Sequence, residues 1–233
     1  MKYLIADLVT EFEPKYSQLK NLAKPFEYSG NRKTDISISL SDDYINSMLK
    51  KMVPGTAIGA AEEFSYLGKF CKRIIKHNAM LIHSSAIQYN GKAYLFSAGS
   101  GVGKSTHTAL WRKAFGNDVK MINDDKPVVR IFDGKAVAYG TPFDGGSGIA
   151  NNISAPLGAV VFIQRGESNS IRKAETPEII KKLYFSTVHF VSRDIADKML
   201  TNFENLLSCT DFYILTCNMD ISAVFTARDA IVK

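Results

Sequence analysis

The sequence predicts an α/β fold: a mixed, largely antiparallel sheet that carries a phosphate-binding loop, preceded by a small N-terminal lobe. Two observations carry the sheet. Asn90-Gly91 and Asp133-Gly134 are hairpin signals, one directly before the strand that feeds the loop and one after a strand that ends in two aspartates. Phosphate-loop proteins that alternate strands and helices build a parallel sheet, whereas hairpins at these two places make neighbouring strands antiparallel. The third observation is the loop itself, residues 98–105, set between an apolar strand and a helical pattern.

In chain order, residues 1–9 read as an opening strand. Residues 41–52 read as a helix with Ser41 as N-cap and Tyr44, Ile45, Met48 and Leu49 at helical spacing, stopped by Pro54-Gly55. Residues 60–77 read as a second helix with Phe64, Leu67, Phe70 and Ile74 on one side. Residues 1–75 form the expected small lobe, and 76–233 the expected nucleotide-binding domain. Within the latter, strands are expected at 79–88, 93–97, 119–122, 127–132, 135–139, 157–164 and 212–217. Helices are expected from the loop to about Phe115, and at 177–186, 190–207 and 220–232.

Composition narrows the function. A chain of 233 residues buries a sizeable core without disulfides or metals. The net charge of +6 is spread along the chain, with no dense basic run, which argues against a nucleic-acid partner and leaves solvated faces with some attraction for anionic substrates. Cys71, Cys209 and Cys217 form no C-x-x-C pair and are odd in number, so a reducing, cytoplasmic setting fits. No apolar run is long enough to span a membrane, and the first residues lack the pattern of a secretion signal.

The loop carries the chemistry. Ala98 to Ser105 matches G-x-x-x-x-G-K-[ST] with Ala in the first position. Average composition puts a chance match on the order of 1–2 per cent, and the strand-loop-helix context lowers it further. Gly99, Gly101 and Gly103 let the backbone turn its N–H groups onto phosphate oxygens, and the following helix adds its unpaired amides. The expected nucleotide-contacting set is Gly99, Ser100, Gly101, Val102, Gly103, Lys104, Ser105 and Thr106, with Lys104 on the β- and γ-phosphates and Ser105 on Mg²⁺. Asp124 and Asp125 end a short strand about twenty residues later; one suits Mg²⁺ and the other proton abstraction, and two carboxylates beside a triphosphate require a cation. Alone, the pair reads equally as a polar turn. His83 and His107 read first as core histidines, and His77 and His189 belong to no motif.

Residues 94–111 (YLFSAGSGVGKSTHTALW), MINDDKP at 121–127, GTPFDGG at 140–146 and residues 149–171 together resemble a family of small bacterial proteins related to HPr kinase/phosphorylase and to the phosphoenolpyruvate carboxykinase fold. The resemblance covers about 79–171. It implies an ATP-binding mixed α/β domain, with Asp124 as base, Lys104 on phosphate, Ser105 and Asp125 on Mg²⁺, and His83 matching a family histidine. It also implies phosphorylation of a serine hydroxyl, and relatives that assemble into homo-oligomers. The chain has Phe143 and Gly146 where relatives carry Trp and Lys, and it is far shorter than a carboxykinase.

The expected function is therefore ATP-dependent transfer to a Ser or Thr hydroxyl on a peptide, protein or small molecule, with the glycine-rich stretch 140–148 placed to cover the site. The alternatives are a nucleotide-binding module or degenerate partner in peptide modification, without efficient transfer, and more distantly a carboxykinase.

Overall fold

The structure is a computed structural model that describes residues 1–187 and 192–232. His189 and positions 190–191 of the expected helix lie outside the described residues.

The chain opens with a hairpin, β1 (Lys2–Ile5) and β2 (Leu8–Glu11), where a single strand was expected. Its two turn residues, Ala6 and Asp7, both have positive φ, 52° and 56°, with no glycine to announce them. Helix α1 (Ser17–Ala23) and the short strand β3 (Ile36–Ser37), parallel to β2, follow and were not foreseen. Helix α2 (Asp42–Leu49) starts where expected, and the Ser41 hydroxyl accepts the Tyr44 N–H.

Helix α3 (Ile58–Ile74) buries Leu67, Phe70 and Ile74, but Phe64 is 51 % exposed rather than inward. Glu62 and Glu63 take the inward positions instead. The Glu62 carboxylate accepts the N–H groups of Lys15 (2.6 Å) and Tyr16 (3.1 Å), and Glu63 accepts from the Gln18 side-chain amide at 2.7 Å. Buried carboxylates with such partners hold the segment entering α1 against α3.

Next come β4 (Ala79–Leu81), β5 (Ser84–Tyr89) and β6 (Lys92–Ser97). The apolar run 79–88 is thus two strands, broken at Ile82-His83. Helix α4 (Lys104–Phe115) follows the loop, then β7 (Lys120–Asp125), β8 (Val128–Phe132), β9 (Lys135–Tyr139) and the long β10 (Ser154–Arg165). The end of the chain supplies β11 (Ser170–Lys173), α5 (Thr176–Ser186), α6 (Arg193–Cys209), β12 (Asp211–Cys217) and α7 (Ser222–Ile231). Edge strand β11 was not expected.

Among the described residues, β4 to β12 form a nine-stranded sheet, and β1 to β3 a separate three-stranded one. In the larger sheet β10 runs parallel to β6 and β12, and every other pairing is antiparallel. Both hairpin turns form as expected: Asn90 and Gly91 have φ of 49° and 75°, Asp133 and Gly134 of 51° and 69°.

Residues alternate across the sheet, and both faces are covered. Leu95, Val160 and Phe162 pack with Ile179 and Leu183 of α5 and with Met199, Phe203 and Leu206 of α6. Tyr94, Phe96, Val161 and Ile163 pack on the other side with Trp111 of α4 and with Val224 and Ala227 of α7. A third apolar cluster joins β1, β2, α1 and α3 to Leu81, Val128 and Phe143.

Phe143 is 1 % exposed, and its ring lies 5.7 Å from that of Phe70. It anchors the stretch 140–148 to α3. Phe143→Ala is expected to lower unfolding stability by about 3–5 kcal/mol, measured by urea denaturation.

Candidate functional site

Strand register gathers the residues in question. Ser84, the first residue of β5, lies opposite Ser97, the last of β6, and opposite Asp125, the last of β7; Ser85 lies opposite Asp124. The end of β6, the start of β5 and the end of β7 therefore meet at one edge. His83 directly precedes β5 and the phosphate loop directly follows β6, so both emerge there.

The loop has the backbone its glycines permit. Gly101 and Gly103 have φ of 72° and 127°, conformations that cost a side chain strain. Gly103 is the N-cap of α4, and its carbonyl accepts the His107 N–H at 2.9 Å. The Lys104 ammonium is buried and donates to the Ala98 carbonyl at 3.3 Å. Burial lowers its pKa, with Asp125 acting against that and Lys126 adding to it. Arg165, at the end of β10, donates to the carbonyls of Gly101 (2.6 Å) and Val102 (3.4 Å) and fixes the loop tip. Ser100 and Thr106 are exposed and make no side-chain hydrogen bond among the described residues.

The two aspartates have different partners. Asp124 is buried, and the Ser105 hydroxyl donates to its Oδ1 at 3.0 Å. Asp125 instead pairs with His83, Nε2 to Oδ1 at 2.6 Å, and with Lys126, Nζ to Oδ2 at 2.7 Å. Burial raises the Asp125 carboxyl, but the hydrogen bonds from His83 and Lys126 outweigh it and hold its pKa at about 2. Its φ of 134° is rare for a residue with a side chain, and such strain costs of order 1–3 kcal/mol. Ser105, expected to share Mg²⁺ with Asp125, hydrogen-bonds Asp124 directly, as successive residues of β7 point to opposite faces.

Stretch 140–148 lies against this pair. The Asn123 amide donates to the carbonyls of Thr141 (3.0 Å) and Phe143 (3.1 Å). Asp144, 1 % exposed, accepts the N–H groups of Gly146 (2.8 Å) and Gly148 (2.5 Å), and the Ser147 hydroxyl donates to the Asp124 carbonyl at 3.2 Å. Glu63 of α3 is held above the usual carboxylate range by burial, with Asp144 and Lys126 among its electrostatic neighbours. Lys126, Asp144 and Arg165 had no role in the sequence reading. All three sit inside segments that carry the resemblance: Lys126 in MINDDKP, Asp144 in GTPFDGG and Arg165 in residues 149–171.

The structure brings Lys104, Ser105, Asp124, Asp125 and His83 to one place. His107 lies elsewhere: it is 3 % exposed, stacks edge-on to Phe96 and accepts the Trp111 indole N–H at 3.0 Å. His77 sits in a short turn of 3₁₀ helix after α3.

The donor set bears on a cation. Ser105 Oγ and Asp124 Oδ1 are adjacent hard oxygens beside the loop, and the described residues contain no group of three or more His, Cys, Asp or Glu that could hold a metal by themselves. Hard oxygens of this kind are the donor type that suits Mg²⁺. Among the described residues no helix is long and apolar enough to cross a membrane.

No protein-family model matches the chain, and no curated protein matches it. Among solved structures it is distantly similar to the HPr(Ser) kinase/phosphatase from Coxiella burnetii, at 13% identity and a TM-score of 0.31, over 55% of this chain and 97% of that one.

Two measurements check this geometry. A Cβ on Gly145 would stand 2.1 Å from Asp125 Oδ2, whereas one on Gly146 would meet nothing within 4 Å. Both have positive φ, so each alanine variant is expected to cost on the order of 1 kcal/mol for backbone strain. Gly145→Ala is expected to cost more and to displace Asp125 from His83, as read by denaturation and a crystal structure. The second measurement concerns His107, whose pKa burial lowers to about 4. Between its unfolded value near 6.5 and about 4, only the unfolded chain takes up the proton, so stability is full above this window and falls with pH through it. The loss is about 3 kcal/mol. Unfolding titrations from pH 8 to 4 are expected to show this slope in the native chain and to lose it in His107→Gln.

Proposed function

We propose that this chain is an ATP-dependent phosphotransferase that acts on a Ser or Thr hydroxyl. The observation that carries the reading is the convergence, at one sheet edge, of a glycine-built amide loop, the Ser105–Asp124 pair and the His83–Asp125–Lys126 chain. The segments that resemble HPr kinase/phosphorylase relatives are the same ones that build this edge, which adds support from the sequence.

In this reading the triphosphate lies on the loop amides and the N-terminus of α4, with Lys104 beside its outer phosphates. Ser105 and Asp124 would hold Mg²⁺, whose charge offsets that of the phosphate oxygens. The roles of the aspartates follow their partners, so Asp125, expected on the metal, is the base, and Asp124, expected as base, is the metal residue. Asp125 is ionised at neutral pH, and His83 and Lys126 hold it in place. The acceptor oxygen attacks the γ-phosphorus as its proton passes to Asp125. The new O–P bond forms while the bond to the β–γ bridging oxygen breaks, and ADP leaves. Lys104 and the loop amides stabilise the charge that develops. The hydrogen bonds from His83 and Lys126 lower the basicity of Asp125, so departure of Lys126 toward the phosphate strengthens the base.

That same pairing is the observation that favours the second reading, a nucleotide-binding module in which Asp125 is neutralised rather than active. One pair of variants separates the two. Asp125→Asn is expected to lower turnover by about 10²–10⁴-fold while leaving ATP affinity within a few-fold. Asp124→Asn is expected to weaken the Mg²⁺-dependent part of ATP binding in calorimetry. Binding of ATP by the wild-type chain with no consumption in the presence of any hydroxyl acceptor would establish the module.

A further inference from the structure

A cavity beside the loop is left unused by this scheme. It measures about 430 Å³, ordinary for a ligand site, and its lining includes His83 and Gly99, Phe162 of β10, and Lys181, Lys182 and Phe185 of α5. Its position is informative. The His83 carbonyl accepts the Ser97 hydroxyl at 2.9 Å, and the His83 N–H donates to the Ser186 carbonyl at 2.6 Å, so the histidine is clamped between the strand that feeds the loop and the end of α5. Its imidazole reaches Asp125. A hydroxyl entering this cavity meets His83, the residue hydrogen-bonded to the carboxylate assigned to accept its proton.

The charge of the cavity is equally informative. Glu178 also lines it, but both oxygens of that carboxylate are taken by Arg172, at 2.8 and 2.7 Å. The charge left facing the cavity is that of Lys181 and Lys182. Lys182 extends its ammonium over the Phe162 ring, 5.6 Å from the centroid, and Lys181 is exposed with no ion pair among the described residues. Phe185 of α5, one of the lining residues, is 69 % exposed and gives the cavity an apolar edge.

We propose that this cavity, with Phe185 at its edge, receives the acceptor, and that the acceptor is an acidic peptide segment in which a Ser or Thr hydroxyl is flanked by carboxylates and an apolar side chain. The carboxylates face Lys181 and Lys182, the apolar side chain covers Phe185, and the hydroxyl reaches Asp125 past His83. This rests on the phosphotransferase reading for the transfer step, but the binding itself is independent of it.

The experiment is amine-acylation footprinting of the full chain by mass spectrometry, run beside an ATP-consumption assay. The probes are MgATP alone and MgATP with either of two equal-length serine peptides, one carrying glutamates and a leucine around the serine, the other arginines in place of the glutamates. The glutamate peptide is expected to protect Lys181 and Lys182 beyond MgATP alone, and the arginine peptide to leave them reactive. Joint Lys181→Glu and Lys182→Glu substitution is expected to weaken the glutamate peptide by about tenfold or more without changing ATP affinity, and Lys181→Gln gives a milder variant should the double one fold poorly. Protection without ATP consumption keeps this site and removes the kinase reading. Consumption with both peptides alike and no protection does the reverse. Protection complete with MgATP alone makes the cavity a nucleotide subsite and overturns the proposal, as does protection by neither peptide.

Discussion

The site depends on a single register: β5 lies between β6 and β7 with Ser84 opposite both Ser97 and Asp125. A one-residue slip of either neighbour would exchange the faces of its side chains, because the strand repeat is two. Asp124 would then leave Ser105, and the loop would leave the position where Lys104 sits near both carboxylates. Apolar packing on both faces enforces the register, with Leu95 and Val160 on one side and Tyr94, Phe96 and Val161 on the other. The core thus fixes which aspartate faces the helix mouth, and the polar contacts refine an arrangement already set.

The N-terminal residues reach the same edge by two routes. Phe70 meets Phe143, and Glu63 lies beside Asp144 and Lys126. The glycine-rich stretch 140–148 is therefore tied at both kinds of contact, apolar and ionic, and Gly145 brings it close enough to touch Asp125. On the opposite side Arg165 holds the loop tip through its carbonyls. The loop and the covering stretch are each held by residues that sequence spacing does not connect.

What the sequence made legible follows from local chemistry. Asn90-Gly91 and Asp133-Gly134 need positive φ and announce their turns, and the three glycines before Lys104 announce the loop. The Ala6-Asp7 turn adopts the same kind of backbone without a glycine, so the first hairpin read as one strand. Residues 79–88 read as one strand across the polar His83-Ser84-Ser85; the break at Ile82-His83 arises because β4 pairs with β8 while β5 pairs with β6 and β7. Phe64 was placed inward by its hydrophobicity, yet Glu62 and Glu63 lie inward, where Glu62 accepts backbone N–H groups of a distant segment and Glu63 accepts the Gln18 side-chain amide. The aspartate pair was legible as a pair. Which member meets Ser105 was not, since that is decided by the sheet face on which α4 packs.

The division of the large sheet has a kinetic consequence. Histidine and loop flank one local hairpin, β5–β6, but β10 must be in place between β6 and β12, strands far apart in the chain, before that part of the sheet closes. Pairings so distant along the chain form slowly, because loop-closure entropy is lost before contacts compensate for it. The β1–β2 and β5–β6 hairpins rest on local contacts, whereas the β6–β10–β12 pairing behind the phosphate loop is the part expected to close slowly.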